Sequence, residues 1–92
     1  MKSYFLSGIQ NEDVARLKLS EILAGQGDPW NLRSEEGDAI AYFNIAVEEG
    51  TLEIHADISG RHYDEHTKVI AVLRALQTTL GGTILNDFEK IV

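Results

Sequence analysis

The stretch DAIAYFNIAVEEGTLEIHADIS, Asp38 to Ser59, decides the fold. Two runs of alternating apolar and polar residues flank Glu48-Glu49-Gly50, the pattern of a β-hairpin. A two-residue turn at Glu49 and Gly50 pairs Glu48 with Thr51 and fixes the register. Val47 then faces Leu52, Ile45 faces Ile54, Phe43 faces Ala56 and Ala41 faces Ile58, an unbroken apolar row. The other face pairs Ala46 with Glu53, Asn44 with His55 and Tyr42 with Asp57. A one-residue slip would exchange the two faces, so the pattern predicts this register and an antiparallel sheet with one polar side.

Outward from the hairpin, Lys2–Ile9 is short, aromatic and apolar and reads as a strand. Asn11 is a good N-cap, and Glu12 and Asp13 put negative charge where the helix dipole favours it. The following VARLKLSEILAGQG predicts a helix with Ala15, Leu19, Ile22 and Leu23 on one stripe, Leu17 off it, and Gly25 or Gly27 at its end. Pro29 excludes a central strand at its own position, so PWNLRS is an edge strand or a loop, with Trp30 as a lid over the core. Beyond the hairpin, Asp64 is the expected N-cap of a second helix. Its stripe is Val69, Val72, Leu73, Leu76 and Leu80, and Gly81 and Gly82 end it. TILNDFEKIV is the last strand, with a break expected at Asn86–Asp87.

This order predicts one α+β domain over residues 1–92, a two-layer sandwich with an antiparallel-rich sheet and both helices on one face. The ferredoxin-like split βαβ arrangement fits the order. That fold serves many functions and selects none. A chain of 92 residues buries only about 60–65% of its unfolded surface, which makes a homodimer an expected source of added core.

Composition narrows the function classes. There is no cysteine, so disulfides, thiolate metal sites and cysteine nucleophiles are excluded. Fifteen acids against eight bases give a net charge of -7, which disfavours nucleic-acid binding and favours a partner with a basic surface. No apolar stretch approaches the roughly 20 residues of a membrane span, and no export signal is visible, so the expected setting is the cytoplasm.

The only three histidines, His55, His62 and His66, fall within HADISGRHYDEH beside Asp57, Asp64 and Glu65. His62 and His66 have the i, i+4 spacing of a helical metal pair. A cap at Asp64 leaves His62 outside the helix, and His55 faces away from both, so no metal and no other cofactor is expected. Tyr42, Asn44, His55 and Asp57 share the polar hairpin face and form an acid/base quartet, with His55 as base. No GxSxG, P-loop or dinucleotide glycine pattern accompanies them. Glu35, Glu36, Asp38, Glu48, Glu49 and Glu53 cluster at turns and along the hairpin. The leading expectation is therefore a non-catalytic protein-binding module of the inhibitor, immunity or regulatory type. Its binding residues are Glu48, Glu49, Glu53, Tyr42 and His55. The alternative is a small dimeric enzyme or ligand binder built on the quartet.

Overall fold

A computed structural model describes residues 2–23, 25, 27 and 29–92. Among the described residues, five strands and two α-helices follow one another as β1 (Lys2–Ser7), α1 (Glu12–Ile22), β2 (Trp30–Arg33), β3 (Ala39–Glu48), β4 (Thr51–Ile58), α2 (His66–Leu80) and β5 (Thr83–Asn86). A 3-10 segment, Gly60–Glu65, leads into α2. Among the described residues, no helix is long and apolar enough to cross a membrane.

The strands form one antiparallel sheet in the order β2-β3-β4-β1-β5. The β3–β4 hairpin has the register predicted from its alternation, from Ala41–Ile58 through Glu48–Thr51. Glu49 and Gly50 both take positive φ, 52° and 79°, the backbone hand of a two-residue hairpin turn. β2 is an edge strand of four residues, and its register shifts between Leu32 and Arg33. β4 and β5 each run antiparallel to β1, which lies between them, so α2 joins two non-adjacent strands of the same direction. The ferredoxin-like element order contains no counterpart of β2, which enters here between α1 and the hairpin.

The core lies between the sheet and the helices. Leu6, Phe43, Ile54, Ala56 and Ile58 from the sheet, Ala15 and Leu19 from α1, and Val69, Leu73 and Leu76 from α2 are fully buried in one cluster. The two helices touch each other and cover the same sheet face. Trp30 closes one end of this core. It is 1% exposed, its indole N–H donates to Ser20 Oγ at 3.1 Å, and the Arg16 guanidinium lies 5.7 Å from its ring centre.

Helix boundaries differ from the sequence expectation in physical detail. Asn11 does cap α1, accepting from the Val14 N–H at 3.1 Å. The helix ends at Leu23, whose backbone is extended while its N–H still bonds the Leu19 carbonyl. Leu23 thereby swings into the core, and Ile22 is left 43% exposed instead of joining the stripe. The termination expected at Gly25 or Gly27 comes earlier, and positions 24, 26 and 28 of that stretch lie outside the described residues. Asp64 does not cap α2. The 3-10 segment occupies that position, Glu65 takes the cap place, and it makes no side-chain cap bond.

Candidate functional site

Both helices pack on one face of the sheet, and on the other face the register arranges the side chains in rows. The middle row runs Asn44, His55, Phe5, Leu85 and Ile91 across neighbouring strands. Directly opposite residues in antiparallel pairs point to the same side, so these five share the open face. One row to the side come Ala46, Glu53, Ser7 and Thr83, and then Glu48 with Thr51 at the hairpin end. On the other side come Asn31, Tyr42, Asp57 and Ser3.

The last part of the chain supplies the far wall. After β5 the chain turns at Asn86, whose side chain accepts from the Phe88 and Lys90 N–H groups at 2.9 and 3.0 Å. The returning segment bonds Lys90 O to Asn86 N and Val92 N to Ile84 O. This is the break expected at Asn86–Asp87. It brings Glu89 to the face and leaves Phe88 and Ile91 each 78% exposed.

Between the hairpin end and this return lies a concavity of about 430 Å³. Phe5 and Leu85 form its apolar side, Ser7 and Thr51 add hydroxyls, and Glu48, Glu49, Glu53, Glu89 and His55 supply the charge-bearing groups. Its volume falls within the roughly 300–1,000 Å³ of small-ligand sites. Glu53 is held from two sides: Ser7 donates its hydroxyl to Oε2 at 2.7 Å, and the His55 ring contacts Oε1 through Nε2 at 2.9 Å. An ionised carboxylate only accepts, so His55 carries a proton on Nε2, and in the neutral ring Nδ1 is the acceptor. Phe5 meets the imidazole edge-on, with ring centres 4.8 Å apart at 80°. His55 and Glu53 are thus ordered at the base of the concavity, with side chains 22% and 15% exposed.

Four of the five residues singled out for binding, Glu48, Glu49, Glu53 and His55, meet here; Tyr42 stands apart, 41% exposed in another row. The quartet of Tyr42, Asn44, His55 and Asp57 does share the face, but its central pair does not form. Asp57 accepts from Ser3 Oγ at 2.6 Å, and the carboxylate bonded to His55 is Glu53. Nor is Ser7 activated by His55, because its proton points to Glu53, and the three groups do not make a nucleophilic triad. Phe5, Ser7, Leu85 and Glu89 carry no local sequence signal for this site, because they enter it only through strand order.

The acids at the other end of β3 form a separate place. Glu35, Glu36 and Asp38 border a shallower hollow with His62, Glu65 and Lys68. Lys68 donates to Glu65 Oε1 at 2.8 Å, and the His62 ring contacts Glu65 Oε2 through Nδ1 at 3.1 Å. The Lys68 hydrogen bond chiefly, with its charge and the His62 contact adding, holds the Glu65 carboxyl below its ordinary value, and the same pairing raises Lys68. His66 donates from Nδ1 to the Tyr63 carbonyl at 3.3 Å. Each histidine is thus engaged separately, and among the described residues no group of three His, Cys, Asp or Glu side chains is placed to hold a metal ion. Zinc titration by calorimetry is expected to show no stoichiometric nanomolar binding; a site of that affinity, lost on His62→Ala, would overturn this reading.

Comparison with protein-family models, curated proteins and solved structures gives no match to this chain.

Proposed function

We propose that the chain is a small, acidic, non-catalytic binding module that recognises a basic protein surface, as an inhibitor, immunity factor or regulatory subunit does. One observation carries the reading: the acids at the open-face concavity are not neutralised from within. Some acids elsewhere pair with a lysine or arginine, as in Glu12–Arg16, Glu21–Lys18 and Glu65–Lys68. Among the described residues, Glu48, Glu49 and Glu89 form no ion pair, and no lysine or arginine lines the concavity. An external cation is the natural complement of such a surface. The cytoplasm is the proposed setting. In this reading the β4–α2–β5 unit, split by β1, is a ferredoxin-like element carrying one added strand, and the fold acts as scaffold only.

The size of the concavity gives some support to a second reading, a dimeric enzyme or ligand binder with the two sheet faces apposed. It requires a dimer, so the mass of the purified protein in solution separates the two.

Charge reversal tests the leading reading. Partners captured from the native cell by wild type are measured against wild type and Glu48→Lys/Glu49→Lys at several salt concentrations. Steered association weakens as the Debye length shrinks, about 8 Å at physiological salt. The double reversal is expected to lower the on-rate by about tenfold or more, with a smaller change in off-rate. An on-rate indifferent to both salt and reversal would refute electrostatic recognition.

A further inference from the structure

The edges of this sheet are poor docking places, and its open face is a good one. β2 has only four residues, follows Pro29 and is irregular at Leu32–Arg33, three devices that discourage strand addition. The outer side of β5 is already occupied by the return through Lys90 to Val92. The face between them carries the apolar row of Phe5, Leu85 and Ile91 beside the row of Ser7 and Glu53. A second copy is a poor occupant. The rows that run through His55 and through Glu53 hold Glu53 and, among the described residues, no lysine or arginine, and Arg33 stands at the far edge strand, so two copies apposed at the concavity would bring carboxylates together without a counter-charge.

Resting on the proposed recognition of a basic protein, we propose that the concavity receives an arginine side chain of that partner, with its methylene stem on Phe5 and Leu85 and its guanidinium at Glu53 and the glutamate rim. Three features favour arginine over lysine. The carboxylate at the base is ordered by Ser7 and His55, and its remaining lone pairs suit the fixed fork of a guanidinium. The site is walled on one side by an aromatic ring and a leucine, and a weakly hydrated planar cation tolerates that wall where a strongly hydrated ammonium does not. The carboxylates stand at two levels, Glu53 at the base and Glu48, Glu49 and Glu89 around it, so one group with five N–H donors reaches several of them.

The test uses the full chain labelled with 15N and three peptides, acetyl-Leu-Arg-Leu-amide and its lysine and citrulline counterparts. The arginine peptide is expected to shift the amides of Phe5, Ser7, Glu53, His55 and Leu85 saturably. The lysine peptide should bind several-fold more weakly and the citrulline peptide, which keeps the shape without the charge, should leave those amides unmoved. Glu53→Gln, which retains a group able to face Ser7, should weaken the arginine peptide by about tenfold, the order expected for a hydrogen-bonded charge partner. Glu89→Gln supplies a second, surface variant should Glu53→Gln disturb the fold. Equal affinity for arginine and lysine peptides, or shifts centred on Glu35–Asp38, would overturn the arginine assignment and leave basic-surface recognition standing. Equal shifts with the citrulline peptide, or no saturable shift at this face, would also overturn it. Recognition of the whole partner is judged separately, by the salt and charge-reversal kinetics. A dimeric mass with these amides protected from the peptide would assign the face to a second copy instead.

Discussion

Phe43→Ala is expected to lower the free energy of unfolding by about 3–5 kcal/mol, the cost of removing a buried aromatic ring and leaving a cavity. Phe43 is fully buried on the second strand from the sheet edge, with Trp30 on one side and Ala56 on the other in the register. The loss is a large fraction of the roughly 5–15 kcal/mol that holds a typical domain together. Its neighbour supplies the control. Tyr42 is one residue away, on the open face and 41% exposed, so Tyr42→Ala is expected to cost less than about 1 kcal/mol. Urea unfolding of the two variants therefore reads the alternation of β3 directly. Similar costs for both would refute the register, because a slip by one residue exchanges their faces.

That contrast was already legible in the hairpin sequence, and the reason is local. Side chains alternate with period two, and a two-residue turn leaves one pairing that keeps every apolar residue on one side. The helix stripes were legible for the same kind of reason, apart from Ile22, where the chain leaves the helix to bury Leu23. The start of α2 was not. Asp64 has the chemistry of an N-cap, but the segment before the helix is fixed by tertiary contacts. Ser59 N bonds the Ile40 carbonyl, and the 3-10 turn follows directly from that attachment.

The site was half legible. Glu53 and Asp57 are equally placed around His55, two residues to either side on one strand. Each also faces a serine on β1, Ser7 and Ser3 respectively, and both serines donate to their opposite carboxylates. Nothing in the strand itself says which carboxylate the imidazole turns to. The apolar wall was beyond reach altogether, because Phe5, Leu85 and Ile91 come from distant parts of the chain and align only once β1 lies between β4 and β5.

Gly82→Ala probes that alignment at its tightest point, and it should be far more costly than the same change one residue earlier. Both Gly81 and Gly82 take positive φ, 73° and 91°. At Gly81 an added Cβ meets nothing, so Gly81→Ala should cost about 1 kcal/mol of backbone strain. At Gly82 the Cβ would stand 2.6 Å from the Ser7 carbonyl oxygen, with Leu6 Cδ1 at 3.3 Å. The nearest obstacle is backbone, in a strand paired on both sides, so no side chain can turn aside to relieve it. Either β1 moves or the joint between α2 and β5 does. The expected cost is about 2–4 kcal/mol, the backbone strain with an overpacking cost added. The displacement also reaches the site. Ser7 pairs with Thr83 and Phe5 with Leu85, so a shift of β5 against β1 disturbs both the hydroxyl that steadies Glu53 and the apolar wall. Urea unfolding of Gly81→Ala and Gly82→Ala, with amide spectra of the folded variants, distinguishes the two effects. Gly82→Ala should perturb the amides of Phe5, Ser7, Glu53 and Leu85, and Gly81→Ala should leave them nearly unchanged. Equal stability losses, with the β1 and β5 amides unmoved in both, would mean that the close approach of residue 82 to Ser7 does not exist.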